Sequence, residues 1–323
     1  MSRILVFVDN DRGTLSPSAL EALTPALSLA GGLDAALELV TVGEGGRAAL
    51  DPMGLGGYVI SHPILSDYAP EAYGEALAQL ASEKEASVVI ALGDDRGAEV
   101  MAHTAAVLDQ PLVANVTDIV DTGGPDGAWE MIRVRWGGSL LEKTRLRSSV
   151  KLLTIAPHTF SAPESTGDGA GALTTFVPEI PDALARTRVV ERVKLAEGLT
   201  LATAPVVVSG GRGVGSAENF AILEELADLV GGVVGCSRVA TNNGWRPHSD
   251  QVGQTGTRIA PDLYIACGIS GAVQHWVGCM ASKQILAINT DPEAPLVTKA
   301  DYAVIGDLHE ILAAVIAEIK ARN

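Results

Sequence analysis

Glycine-rich turns in the last third of the chain carry the side chains best suited to chemistry. One turn contains Arg212, a later one contains Ser270 and His275, and Asn289 and Asp307 each close an apolar run. A guanidinium, hydroxyls, amides and an imidazole can surround a planar ring and pair with its phosphates. No thiol or carboxylate stands out as a nucleophile, and no metal site is predicted. The pattern indicates a flavin-like redox ring that the protein holds and tunes.

Several of these turns follow short apolar runs, as in α/β domains that bind nucleotides at the ends of their strands. The turn at residues 210–216 is predicted to offer free backbone N–H groups to an anion. Ser270 is predicted to cap the helix that carries His275. Residues 251–256 show no helix or strand period. They are either an ordinary polar loop or a segment that presents an amide and a hydroxyl to the ring.

Composition limits the classes of function. The chain has 323 residues, 47% hydrophobic and 19% charged, which suits two globular domains. The net charge of -16 argues against nucleic acid and anionic lipid as general partners. The 3 cysteines lack C-x-x-C spacing, and neither a signal peptide nor a membrane span is evident. We therefore expect a cytoplasmic protein.

Alternating apolar runs and helical patterns predict an α/β fold with two doubly wound domains. The first, residues 1–190, is predicted to hold a mostly parallel sheet with added antiparallel strands, and its first helix to start near Ser16 and end at Gly31-Gly32. Arginines alternate with apolar residues at 132–135 and 145–147. They form either a solvated strand face or a docking site for an acidic partner. Residues 191–202 are predicted as a connector that acts as a hinge, and 203–323 as a Rossmann-like domain.

Taken in order, these segments resemble the α subunit of electron transfer flavoproteins, closely over residues 203–310 and more loosely from Ile4 onward. The blocks that carry the resemblance are 251–256, 261–266, 268–275, 287–295 and 300–302. The resemblance implies a heterodimer with the electron transfer flavoprotein β subunit. It also implies one FAD, held mainly by the carboxyl-terminal domain, and an amino-terminal domain that pairs with the β subunit.

Residue by residue, the resemblance implies that Arg212 lies against the isoalloxazine. Ser237 and Thr255 would bond near its N5/O4 edge, and His275 would lie at the N1/O2 edge. The adenosine half would face Asn289, Asp307 and Leu308. The full implied set of FAD-binding residues is Arg212, Ser237, Val252, Gly253, Gln254, Thr255, Ser270, Gly271, Ala272, Val273, Gln274, His275, Asn289, Asp307 and Leu308.

The function that the resemblance implies is electron carriage, with no catalytic residue of its own. The carrier would accept electrons from flavoprotein dehydrogenases such as acyl-CoA dehydrogenases. It would pass them through an anionic semiquinone to a membrane quinone oxidoreductase. The alternatives are a subunit of an electron-bifurcating, NADH-dependent complex and a nucleotide-binding regulator without redox chemistry. A self-contained NAD dehydrogenase is disfavoured because no G-x-G-x-x-G follows the first strand.

Overall fold

The computed structural model describes residues 2–16, 18–123, 127–138, 140–163, 171–190 and 199–322. The chain divides into two compact units. One comprises Met1–Arg135 and Leu140–Lys194, and the other Trp136–Ser139 and Leu195–Asn323. Most of the predicted connector, residues 191–198, lies outside the described residues. The connector and its role as a hinge stay predictions.

The amino-terminal unit is built on one mixed sheet. Its strands are β1 (Arg3–Phe7), β2 (Ala36–Val42), β3 (Gly57–Ile60), β4 (Val88–Leu92), β5 (Leu112–Asp121), β6 (Trp129–Arg135), β7 (Leu140–Leu146), β8 (Lys151–Ile155) and β9 (Leu173–Phe176). Within the described residues their order is β7-β6-β5-β8-β4-β1-β2-β3-β9. Only the β5–β6 and β6–β7 pairs are antiparallel among the pairings of this part of the chain. The predicted fold class is confirmed for this unit.

Strand β1 shows why a sequence can be apolar at every position from Ile4 to Phe7. Ile4 and Val6 belong to the core on one face of the sheet, and Leu5 and Phe7 to the core on the other. A parallel strand covered on both faces has no solvent side, so it needs no alternation. The helices of this unit are α1 (Leu23–Leu33), α2 (Gly43–Leu50), α3 (Pro70–Glu83) and α4 (Asp95–Leu108).

The first helix differs from its prediction at both ends. It begins at Leu23, not near Ser16, and it continues through Gly31-Gly32 to Leu33. Pro25 is accommodated because it lies in the first turn, where a backbone N–H has no partner within the helix. Asp34, in the left-handed conformation at φ 48°, ends the helix instead of the glycines. Aspartate adopts the left-handed conformation more readily than most residues. The sequence prediction considered only the glycines as the end of this helix.

The β6–β7 hairpin accounts for part of the basic pattern. Arg133 Nη2 lies 3.0 Å from Glu142 Oε1, and Arg135 Nε lies 3.3 Å from Glu142 Oε2. These are cross-strand pairs of opposite charge, which stabilise a strand pair in the ordinary way. The two arginines are therefore engaged within the sheet, which favours the strand-face interpretation over a docking site.

The carboxyl-terminal unit is a smaller, parallel sheet. Its elements are β10 (Val206–Gly210), α5 (Ala221–Leu229), β11 (Val233–Cys236), α6 (Arg238–Asn242), β12 (Leu263–Cys267), α7 (Val273–Cys279), β13 (Ile285–Asn289), β14 (Tyr302–Ile305) and α8 (Leu308–Arg322). The strand order over residues 199–322 is β11-β10-β12-β13-β14, with every pair parallel. The chain moves outward from β10 to β11, then returns to β12 on the other side. This reversal is the topological switch point at which α/β sheets bind ligands, as the Rossmann-like prediction requires.

Neither a disulfide nor a membrane-spanning helix is found in the described part of the chain. Cys236, Cys267 and Cys279 are buried, free thiols, and burial raises the pKa of each to about 12. They therefore stay protonated and unreactive at neutral pH. No helix in the described ranges is long and apolar enough to cross a membrane.

We expect Gly57→Ala to destabilise the amino-terminal unit. A Cβ at this position would lie 2.0 Å from the Leu39 carbonyl oxygen, a backbone atom of the neighbouring strand. The strands would have to separate, at a cost of about 2 kcal/mol or more in the free energy of unfolding. Gly32→Ala is the control, because a Cβ there meets nothing within 4 Å and alanine suits a helix interior. Urea denaturation should separate the two; equal stabilities would contradict the prediction.

Candidate functional site

A cleft of about 550 Å³ lies at the carboxyl edge of the carboxyl-terminal sheet. Its walls come from the segments that follow each strand described there: residues 212–213, 237–242, 268–275, 289–294 and 306–308. Parallel strands all end at one edge, so five loops distant in sequence meet there. The volume lies in the range of small-molecule and cofactor sites.

Two glycine turns pack against each other beside this cleft. The Gly211 N–H donates to the Cys267 carbonyl at 2.9 Å, and the Gly213 N–H donates to the Gly268 carbonyl at 3.0 Å. A Cβ at Gly211 would lie 2.3 Å from the Gly268 oxygen, so only glycine permits this approach. The anion site predicted at residues 210–216 stays a prediction, although the N–H groups of Gly211, Gly213, Val214 and Gly215 already have protein acceptors.

The turn after β12 offers the free donors instead. The N–H groups of Ser270, Gly271 and Ala272 have no protein acceptor among the described residues. Gly271 has φ +80°, and a Cβ there would lie 2.4 Å from Leu296 Cβ, so this turn also requires glycine. The predicted N-cap at Ser270 is wrong, because Ala272 occupies that position without a side-chain cap. The uncapped N–H groups are suited to a phosphate oxygen.

Two guanidiniums and two carboxylates line the cleft. Arg212 and Arg238 are exposed, and neither forms an ion pair within the described part of the chain. The carboxylates serve the backbone: Asp291 Oδ1 accepts from the Glu293 N–H at 2.9 Å. Asp307 Oδ1 accepts from the His309 N–H at 2.7 Å, which caps α8. The arginines are therefore the charges left available to a ligand.

His275 is a buried, neutral member of the cleft wall. Its Nε2 lies 2.7 Å from the Tyr264 hydroxyl oxygen, and its Nδ1 is buried with no hydrogen-bond partner among the described residues. Burial lowers the pKa of His275 to about 4, against the opposing effect of the Val252 carbonyl. Ser237 Oγ, also in the wall, is a second buried polar atom without a partner there. Buried polar atoms are normally paired, so both await an acceptor or donor from a ligand.

Of the fifteen residues predicted from sequence, ten line the cleft. They are Arg212, Ser237, Ser270, Gly271, Ala272, Gln274, His275, Asn289, Asp307 and Leu308. Asn289 also holds the neighbouring turns, because its Nδ2 donates to the Ile269 carbonyl at 3.0 Å and its Oδ1 accepts from the Asp291 N–H at 3.1 Å. Its side chain is therefore partly committed to the protein.

The other five predicted residues lie outside the cleft wall within residues 199–322: Val252, Gly253, Gln254, Thr255 and Val273. Val252 is part of the hydrophobic core. The Gln254 N–H donates to the Gln274 carbonyl at 2.7 Å, and Thr255 Oγ1 accepts from Gln251 Nε2 at 2.9 Å. Their segment supports α7 from behind, and their contact with a cofactor stays a prediction.

Sequence reasoning missed part of the wall. Arg238 and Asn242 follow β11, and Thr290 and Asp291 follow β13. For Arg238, Thr290 and Asp291 the available signal was their position just after an apolar run, the same signal that identified Arg212. Arg238 matters most, because it adds a second positive charge to the site.

The amino-terminal unit contains a second cavity, of about 260 Å³. Arg96 dominates it: the guanidinium lies 4.1 Å from the Tyr68 ring centroid and 3.1 Å from Asp9 Oδ2. Burial raises the pKa of Asp9 to about 6, and the Arg96 charge opposes that rise. The Arg96 guanidinium thus pairs with a carboxylate next to the cavity, as in a structural network.

Comparison with known proteins points to one family. A family model described as "Electron transfer flavoprotein domain" matches residues 4–181, and one described as "Electron transfer flavoprotein FAD-binding domain" matches residues 200–280. Electron transfer flavoprotein subunit alpha of Thermoanaerobacterium thermosaccharolyticum is 34% identical over 98% of this chain and 97% of its own length. The subunit alpha of Mycobacterium tuberculosis is 36% identical over 100% of both chains. Protein FixB of Bradyrhizobium diazoefficiens is 35% identical over 99% of this chain and 89% of its own.

The buried imidazole predicts a pH dependence of stability. The folded pKa of His275 is about 4, below its unfolded value of about 6.5, so the unfolded chain binds more protons between these values. Stability should therefore fall as the pH drops through this window. We expect His275→Gln to reduce the loss between pH 7.5 and pH 5 by about 2 kcal/mol. Exposed His248→Gln is the control; equal pH slopes in denaturant melts of both variants would refute a buried neutral His275.

Proposed function

This chain belongs to the alpha-subunit family of electron transfer flavoproteins, with an FAD-binding domain matched at residues 200–280, and we propose that it is the FAD-holding subunit of a heterodimeric electron carrier. Its partner is an electron transfer flavoprotein β subunit. The observation that carries the proposal is the cleft, which combines unpaired donors and guanidiniums with no thiol or amine among its lining residues.

The described residues fit FAD. The free N–H groups of Ser270, Gly271 and Ala272 suit a pyrophosphate. Arg212 and Arg238 supply positive charge for phosphates or for a ring that gains an electron. The unpartnered Ser237 Oγ and His275 Nδ1 suit the polar edges of an isoalloxazine. Buried polar atoms usually have a hydrogen-bond partner, so these two unpartnered atoms beside the free N–H groups support a bound polar ligand.

Bound FAD supplies one-electron chemistry, and the protein sets its potential. Arg212 and Arg238 favour an added negative charge on the ring, and a neutral His275 can donate one hydrogen bond to it. With FAD bound, these residues would therefore favour negative charge on the ring. The chain takes no part in bond-making, which is what distinguishes a carrier from an enzyme.

The proposed route runs from a flavoprotein dehydrogenase, such as an acyl-CoA dehydrogenase, to a membrane quinone oxidoreductase. The net charge of -16 supports protein partners that carry complementary basic patches. An NADH-dependent bifurcating complex is the alternative, and a partner subunit with a second flavin would distinguish it.

We expect the chain co-expressed with its β-like partner to purify as a yellow heterodimer with one FAD. Stepwise reduction should pass through a red, anionic semiquinone, because the cleft favours negative charge on the ring. Flavin content and a visible spectrum recorded during electron titration are the measurements. NADH alone should leave the flavin oxidised, whereas an acyl-CoA dehydrogenase with its substrate should reduce it.

The contrary outcomes each point to one alternative. A colourless complex would identify a nucleotide-binding regulator and end the carrier proposal. A second flavin reduced directly by NADH would identify the bifurcating enzyme.

We expect Arg212→Gln to lower the potential of the first electron step by about 60 mV. Loss of one charged partner is worth roughly 1.5 kcal/mol, about tenfold in an equilibrium constant. Lys283→Gln is the matched control, since it removes the same charge from an exposed pair with Asp262. Spectroelectrochemistry on both purified heterodimers measures the change. Equal potentials in the two variants would exclude Arg212 from the flavin.

A further inference from the structure

A buried tyrosine lies directly behind the cleft histidine. Tyr264, in the middle of β12, is fully buried, and its hydroxyl oxygen is 2.7 Å from His275 Nε2. It does not line the cleft itself. The hydroxyl therefore cannot touch a ligand there, and it acts on a ligand only through the imidazole. A neutral imidazole carries a single N–H, so a partner on one nitrogen determines what the other can do.

We propose that Tyr264 is a positioning residue, which donates its hydroxyl proton to Nε2 of His275 and thereby keeps the ring proton on Nδ1 as a hydrogen-bond donor for the flavin. This inference rests on the proposed function. It assigns the tautomer of the cleft histidine and the residue that sets it. The hydrogen bond from Tyr264 acts on a neutral imidazole, so His275 can donate from Nδ1 without a positive charge.

The opposite arrangement is the one to exclude. His275 could donate from Nε2 to the Tyr264 oxygen, and the Tyr264 hydroxyl could then turn to Ser209. Ser209 Oγ is fully buried, and its contact with Tyr264 opposes the rise that burial causes in the pKa of the tyrosine. It lies on β10, two residues beyond Val207, which pairs with Tyr264 across the sheet. Side chains two apart on a strand share a face, so Ser209 is a real competitor for this proton.

The strength of the two acceptors favours donation to the imidazole. A bare imidazole nitrogen is a stronger acceptor than a serine hydroxyl, so the 2.7 Å contact is better made by a phenol proton. Burial raises the pKa of Tyr264 well above its usual value, so the hydroxyl keeps the proton that it donates.

The first test is the tautomer in the FAD-bound heterodimer. Nitrogen-15 NMR of labelled histidine side chains distinguishes protonated from bare ring nitrogens, and the signal lost in His275→Asn identifies this residue. We expect a protonated Nδ1 and a bare Nε2 at pH 7.5. A protonated Nε2 overturns the proposal. This measurement needs no tyrosine variant, so it decides even where a variant fails to fold.

The second test removes only the hydroxyl. In Tyr264→Phe we expect a mixture of tautomers and about tenfold weaker preference for one-electron-reduced over oxidised FAD, which is about 59 mV for one electron. Tyr58→Phe is the control, because its hydroxyl meets Arg3 and Glu38 in the amino-terminal unit. Ser209→Ala should keep the wild-type tautomer. An unchanged tautomer in Tyr264→Phe, or a change of equal size in Ser209→Ala, overturns the proposal.

The two proposals fail in different ways. A wild-type heterodimer without FAD refutes the electron carrier. A wild-type heterodimer that binds FAD and accepts single electrons, but carries its His275 proton on Nε2, refutes only the role of Tyr264.

Discussion

The carboxyl-terminal unit depends on a close backbone contact between two turns. Gly211 and Gly213 donate to the carbonyls of Cys267 and Gly268, and side chains at these glycines would collide with that backbone. The contact ties the ends of β10 and β12 together at the switch point of the sheet. Those N–H groups are engaged within the protein, whereas the N–H groups of Ser270, Gly271 and Ala272 in the turn after β12 have no acceptor among the described residues.

The cleft is lined by as many positive as negative side chains, although the chain as a whole is acidic. The whole protein carries a net charge of -16, yet the two lining carboxylates, Asp291 and Asp307, are engaged with backbone N–H groups. Arg212 and Arg238 form no ion pair among the described residues. A ring bound in the cleft would therefore meet two guanidiniums that form no ion pair among the described residues, beside two carboxylates that keep their negative charge. Local arrangement, and not net charge, sets the potential that a cofactor experiences.

His275 contributes to that site by hydrogen bonding, without a charge of its own. Burial keeps the ring neutral at physiological pH, so its effect on a ligand depends on which nitrogen bears the proton. The neighbouring tyrosine belongs to the core and never meets the ligand. On the proposed role, Tyr264 influences the site although it does not line the cleft. The role of His275 therefore follows from its burial, which keeps the imidazole neutral, and from its contact with Tyr264.

The sequence by itself determined the fold class, the family and the places where strands end in polar residues, because these signals are local: an apolar run, a glycine, a side chain directly after it. It located Arg212, Ser270 and His275 in this way. Only the tertiary structure decided which loops share a cleft. Strand order brought Arg238 into the wall, and the packing of residues 251–256 behind α7 kept Thr255 out of it. Which N–H groups are free depends on partners distant in sequence, and no local pattern encodes that.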